Sequence, residues 1–157
     1  MVNVSWPRLI ASILLCQAAG VLGSIATTPN IQGWYVNLNK PWFTPPNWLF
    51  GPVWISLYTL MGIALYLALE KGLLKDKPAL GIFIAQLSLN SLWSFLFFGL
   101  ESPLLGLAGI IPLWISIALN IWAFWKIDKR AGYLLVPYIT WVSIATALNY
   151  YVWILNP

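Results

Sequence analysis

The chain has 157 residues, 61% of them hydrophobic and only 8% charged, with a mean hydropathy of +0.80. A soluble domain carries about 25% charged residues, so a water-exposed fold is excluded and an integral membrane protein is expected. The net charge of +4 comes from short basic connections, which topology and anionic headgroups explain more simply than nucleic acid does.

Five long uncharged or nearly uncharged runs lie between the charges. The first is apolar from Leu9 to about Ala26, and the others cover Trp48–Leu69, Ala79–Leu100, Pro103–Trp125 and Ala131–Leu155. Each is near the roughly 20 residues that a helix needs to cross the hydrocarbon core. The ten-residue alternation of a membrane β-barrel is absent. The expectation is an all-α bundle of five transmembrane helices in a single membrane domain over residues 1–157. For the first run an alternative stays open, a cleavable signal peptide ending near Gly23, Ser24 and Ala26. Its weak basic start and near-spanning length favour a membrane helix.

Between the first two runs lies a stretch rich in aromatic residues and proline, beginning at Trp34 and entering the second run before Tyr58. Pro41, Pro45 and Pro46 fix their own φ and donate no hydrogen bond, so this connection is expected to be a stiff, folded lid. Thr44 before Pro45 fits an N-cap followed by proline at the first helical position. Proline also falls inside later runs, at Pro52, Pro112 and Pro137, where each frees a carbonyl one turn back.

The basic residues set an orientation. Lys71, Lys75 and Lys77 follow the second run, Lys126, Lys129 and Arg130 follow the fourth, and Arg8 falls on the same side. Lys40 and Glu101 fall on the other. The positive-inside rule then puts the N-terminus in the cytoplasm and the aromatic connection outside, for a plasma-type membrane. An outer or organelle membrane would relabel the two sides. Anionic headgroups are the natural partners of the basic loops.

There is no histidine, and Glu70, Asp76, Glu101 and Asp128 all lie at or beyond the ends of runs. A Ser/His/Asp triad, a zinc site and a His-ligated haem are thereby excluded, and no cofactor is expected. No ionisable residue sits within a run to carry protons, and no internal repeat suggests a secondary transporter. Cys16, the one cysteine, has no partner for an intrachain disulfide.

The runs instead carry rings and neutral amides at helical spacing. Gln86, Asn90, Trp93 and Phe97 share one face of the third, and Phe50, Trp54 and Tyr58 one face of the second. Tyr138, Trp141, Ala145 and Leu148 or Asn149 form a stripe on the fifth. An indole N–H or an amide in hydrocarbon needs a partner, so these faces should point inward. Two readings stay open: packing glue between helices, or the lining of a pocket. Trp6, Trp42, Trp122, Trp125 and Trp153 fit an interfacial belt. Gly20 with Ser24, and Gly106, Ala108 and Gly109, offer surfaces for close helix contact and self-association.

The run Trp34-Tyr35, Leu38, Lys40-Pro41, Pro45-Pro46, Trp54 and Leu57-Tyr58 resembles the first connection and second helix of the TspO/MBR family. This family comprises the translocator proteins, also called tryptophan-rich sensory proteins or peripheral benzodiazepine receptors. Gln86, Asn90 and Trp93 match its third helix. Asp128, Ala131-Gly132, Pro137-Tyr138, Trp141, Ala145 and Leu148-Asn149 match its fifth. The resemblance covers essentially the whole chain.

It implies a five-helix bundle, usually a homodimer, whose pocket is closed by the first connection. The ligands it implies are porphyrins and other haem-pathway compounds, sterols, and benzodiazepine-type or isoquinoline drugs. By position, Tyr35, Trp54 and Trp141 correspond to residues linked with porphyrin handling, and Asn90 and Ala145 to pocket positions. The implied ligand set becomes Trp34, Tyr35, Phe50, Trp54, Tyr58, Gln86, Asn90, Trp93, Tyr138, Trp141, Ala145 and Leu148. One departure stands out. The sterol-recognition stretch of the family needs a basic residue after its tyrosine, whereas Tyr150 and Tyr151 are followed by VWILNP. A tetrapyrrole role is thereby favoured over a sterol one.

Two functions from different classes follow. One is a membrane receptor or carrier for tetrapyrroles, serving their homeostasis or stress sensing. The other is an oxidative porphyrin-degrading catalyst driven by light or oxygen, with Tyr35, Trp54 and Trp141 as the candidate redox residues. Binding is favoured, because a pocket needs only rings whereas turnover needs a renewable oxidant.

Overall fold

In the computed structural model, which describes residues 4–157, all five runs form helices long and apolar enough to cross a membrane, and no strand occurs among the described residues. α1 spans Trp6–Gly33, α2 Asn47–Glu70 and α3 Lys77–Ser94, the last continued by a π turn over Phe95–Gly99. α4 spans Pro103–Ile127. The fifth span is broken into α5, Lys129–Leu134, and α6, Val136–Leu155. The break sits at Leu135, just before Pro137, whose ring cannot continue the hydrogen-bond ladder. The protein is a multi-pass integral membrane protein.

Two helix boundaries differ from the sequence expectation. α1 does not stop near Ala26 but continues through Pro29 to Gly33. Thr27 Oγ1 and Asn30 Nδ2 donate back to the carbonyls of Gly23 and Ala26, which stitches this polar turn onto the apolar one below it. At 28 residues α1 is about 42 Å long, well beyond the roughly 30 Å hydrocarbon core. α2 begins at Asn47, not after Thr44. The Thr44 hydroxyl donates to the Pro41 carbonyl at 2.6 Å and closes a turn instead of capping a helix.

The helices form a ring in the order α2, α1, α3, α4, α6, and α5 returns to touch α2. Along the α1–α2 seam the backbone of Ile13 lies where a side chain on residue 62 would have to go, so only glycine permits this approach. Ser5 N donates to Tyr66 Oη at 3.1 Å, and Arg8 pairs with Glu70 at 3.0 Å, which fixes the start of α1 beside the end of α2. α6 and α2 diverge on the side of the 34–46 connection, where large side chains rather than backbone fill the space between them.

The small residues expected to serve self-association are largely used within the chain. Gly106 faces Phe97 and Asn149, Gly109 faces Leu96, and Gly20 faces the Tyr58 ring. Ala108 and Ser24 stay exposed.

Candidate functional site

A cavity of about 370 Å³ lies between α1, α2, α3 and α6, in the half of the bundle nearer the 34–46 connection. Phe50 and Trp54 come from α2, and Trp141 and Ala145 from α6. Phe50 meets Trp141 edge to face, with ring centroids 5.8 Å apart. Trp54 touches Tyr58 at 5.6 Å and Tyr138 at 6.3 Å. These aromatic contacts add about 0.5–1.5 kcal/mol each beyond area burial.

Under the rings the wall is polar but saturated. Tyr58 Oη donates to Asn90 Oδ1 at 2.5 Å, and Asn90 Nδ2 donates to Tyr138 Oη at 2.6 Å. Trp93 Nε1 donates to Asn149 Oδ1 at 3.1 Å, and Asn149 Nδ2 donates to the Pro103 carbonyl. One donor breaks the pattern: Trp141 Nε1 is buried and has no acceptor among the described residues. A buried group left unpaired costs about 1–3 kcal/mol. No charged side chain lines the cavity.

Of the residues proposed from sequence, Tyr35, Phe50, Trp54, Tyr58, Asn90, Trp93, Trp141 and Ala145 border this cavity, and Trp34, Gln86, Tyr138 and Leu148 do not. Trp34 packs instead on Phe97 and Phe98, at 5.3 and 6.4 Å. Gln86 is fully buried one turn below Asn90, and both of its amide atoms lack a protein partner. Tyr138 is buried beneath the wall as the acceptor for Asn90. Leu148 is buried away from the opening.

Phe97 is also displaced from the lining, and Phe98 takes its place. Within the π turn Phe97 stacks on Trp93 with centroids 5.4 Å apart, and the shifted register turns Phe98 toward the cavity.

Sequence reasoning missed the α1 wall, made by Gln17, Gly20, Val21, Ser24, Thr27, Thr28 and Ile31. A signal was there. Ser24, Thr27, Thr28 and Ile31 fall at i, i+3, i+4 and i+7, with Gln17 two turns before, which is one helical face.

The connection is tied down by its own chain. Lys40 Nζ donates to the carbonyls of Tyr35, Val36 and Leu38 at 2.7, 3.2 and 2.9 Å, and lies 4.8 Å from the centroid of the Tyr35 ring. Partial burial lowers its pKa from the ordinary lysine value, whereas burial pushes the Tyr35 phenol up to about 12. Asn39 and Asn156 exchange two bonds of 2.9 Å, from Asn39 N to Asn156 Oδ1 and from Asn156 Nδ2 to the Asn39 carbonyl. Lys40 is thus a clamp for the 35–38 turn and does not border the cavity.

The sequence pattern of the TspO/MBR family matches residues 12–154. The chain is 49% identical to the tryptophan-rich protein TspO of Archaeoglobus fulgidus, over 95% of this chain and 97% of that one. It is 38% identical to the tryptophan-rich sensory protein of Cereibacter sphaeroides, over 94% and 90% of the two chains. It is 37% identical to the human translocator protein, over 76% and 73%. A five-span bundle with this arrangement of rings and amides, matched along nearly its whole length, belongs to the TspO/MBR family.

Proposed function

We propose that this protein is a membrane receptor or carrier that binds porphyrins and related tetrapyrroles in the α1–α2–α3–α6 cavity. The observation that carries this reading is the uncharged cavity of about 370 Å³ walled by the rings of Phe50, Trp54 and Trp141. Such a wall suits a flat π-system, which stacks on or meets the ring edges. The names of its relatives, a sensory protein and a translocator protein, fit a receptor or carrier role. Tyr35 bounds the end of the cavity nearest the connection and acts as the inner face of a lid. Propionates find no cation within, and Lys40 is occupied by carbonyls, so these groups stay outside the cavity. Self-association as a homodimer is part of the same proposal, with the exposed Ala108 of α4 and Ser24 of α1 as its small residues.

A second reading, oxidative degradation of the bound porphyrin under light, draws on the contact of Trp54 with both Tyr58 and Tyr138. Such a chain of rings can supply electrons to an oxidised ligand. One absorbance titration with protoporphyrin IX, dark and illuminated, separates the readings. Trp141→Phe keeps a ring and removes the N–H. In a binding protein it weakens affinity by about 1 kcal/mol, the worth of one hydrogen bond, and leaves bleaching alone. In a catalyst that uses Trp141 it nearly abolishes light-dependent loss of the Soret band while binding survives. No binding by the wild type sinks the tetrapyrrole reading.

A further inference from the structure

The cavity is closed on the connection side and open on its flank. Three α1 residues on its wall, Val21, Ser24 and Thr28, are exposed, and so are three from α2, Asn47, Gly51 and Ile55. α1 and α2 run antiparallel, so these residues face one another in register: Val21 with Ile55, Ser24 with Gly51, Thr28 with Asn47. Val21 is 64% exposed and Ile55 61%. In a membrane bundle that outward surface meets lipid. The seven helical rises from Val21 to Thr28 make this gap about 10 Å long.

Below the gap the seam is shut. Gly20 lies against the Tyr58 ring, Gly62 against Ile13, and Gln17 Nε2 donates to the Ile55 carbonyl and to Thr59 Oγ1 at 2.9 and 3.0 Å. Above the cavity, Tyr35 is only 6% exposed and the connection is held by Lys40 and the Asn39–Asn156 pair. A path through the connection breaks several hydrogen bonds, whereas a path through the flank breaks none.

We propose that the Val21–Thr28/Asn47–Ile55 gap is a lateral entrance, through which an amphiphile dissolved in the adjacent leaflet slides its apolar body into the cavity. This rests on the reading of the cavity as a ligand site. The rim chemistry fits such a molecule. Val21 and Ile55 meet acyl chains, while the polar side chains of Ser24, Thr28 and Asn47 lie toward the membrane surface, where an anionic group of the ligand stays hydrated. The uncharged interior accepts the rest.

The test uses Gly51, where an added Cβ meets no atom within 4 Å. Gly51→Trp narrows the gap, and Gly81→Trp, with an equally unobstructed Cβ but away from the cavity, is its control; a wild-type circular-dichroism melt for each shows that the fold is kept. In liposomes loaded with protoporphyrin IX, stopped-flow quenching of tryptophan fluorescence gives the rates. Gly51→Trp lowers the on-rate and off-rate together, by about tenfold or more, with little change in Kd. Gly81→Trp and Asn156→Ala, which loosens the connection, leave the rates unchanged. Faster uptake in Asn156→Ala with normal rates in Gly51→Trp overturns the proposal. So does a weakened Kd with an unchanged on-rate, since position 51 then touches the ligand without guarding its path.

A ligand-free measurement keeps this separate from the identity of the ligand. A bimane label on Gly51→Cys, in a Cys16→Ala background, is quenched by brominated acyl chains in the bilayer and is shielded from aqueous iodide. Quenching by iodide alone overturns the lateral entrance. If protoporphyrin binds no variant and the label still meets lipid, the tetrapyrrole reading fails and the entrance stands.

Discussion

Tyr58 and Tyr138, from α2 and α6, never bond to each other but are held together through the two ends of one amide, that of Asn90 on α3. The carbonyl end takes the proton of Tyr58, and the NH₂ end gives one to Tyr138. Three helices are thereby fixed at the floor of the cavity with every group satisfied.

Asn90→Leu keeps the volume but leaves two buried hydroxyls without their partner. At about 1–3 kcal/mol for each orphan, a loss of several kcal/mol is expected. Tyr58→Phe orphans one acceptor only and should cost roughly half as much. Thermal melting in detergent, followed by circular dichroism, checks the order. Equal losses in the two variants count against the shared-amide arrangement.

Lys40→Met retains the stem over the Tyr35 ring but removes three charge-assisted bonds to carbonyls. The expected outcome is local: faster hydrogen exchange and proteolysis across residues 35–40, with the melting temperature of the bundle little changed. The measurement is exchange by mass spectrometry on the two proteins in lipid nanodiscs. Uniform protection would mean that the prolines alone hold the turn.

Acid sensitivity should concentrate at Asp128, which caps α5. Its carboxylate accepts from Arg130 Nε and Nη2 at 3.2 and 2.8 Å and from Arg130 N at 2.9 Å. The Arg130 side-chain bond holds the Asp128 pKa below its usual value, and the backbone N–H and the charge of Lys71 act in the same direction. A carboxylate whose pKa is depressed on folding adds stability above its unfolded pKa of about 3.9, and that stability is lost as pH falls through the folded value. Melting temperature should therefore fall between about pH 5 and pH 2 in the wild type, and less so in Asp128→Asn. At pH 7 asparagine still caps α5, so the substitution should cost only the partly exposed ion pair with Arg130, at most about 1 kcal/mol.

The packing of α5 against α2 places the connections that carry Lys71 and Asp128 at the same end of the bundle. Membrane-impermeant amine or cysteine reagents should modify the 71–77 and 126–130 connections from the same face, and Lys40 from the opposite one. Reaction of the two basic connections from opposite faces would contradict the fold.

The five spans were legible because each apolar run approaches the length of a bilayer crossing, a signal that survives without any knowledge of packing. Their ends were not. The last turns of α1 are built from polar residues whose side chains bond back to the helix, and a hydropathy pattern treats such residues as loop. The site showed the same division. The faces of α2 and α6 followed from period alone, since those helices run undisturbed past the cavity. Phe98 replaced Phe97 because a π turn shifts the register, and nothing in FLFFG announces it. The hydroxyl face of α1 was readable from its period, but Ser24 and Thr27 bond back to carbonyls of their own helix and so call for no partner across the bundle.

The contact of Gly62 with Ile13 gives the α1–α2 pair a fulcrum. Below it the two helices are joined by Arg8–Glu70 and Ser5–Tyr66, and above it Gln17 is the last cross-link before the gap. From Gly20 to Thr28 the free arm of α1 is about 12 Å long, so a rocking of roughly 10° would move its tip about 2 Å. The pair has the build of tongs joined at the Arg8–Glu70 end, and the width of the jaws is set by a residue that does not border the cavity. A bulky side chain at position 62 would lever the jaws apart rather than fill the cavity, and would leave the opening permanently ajar.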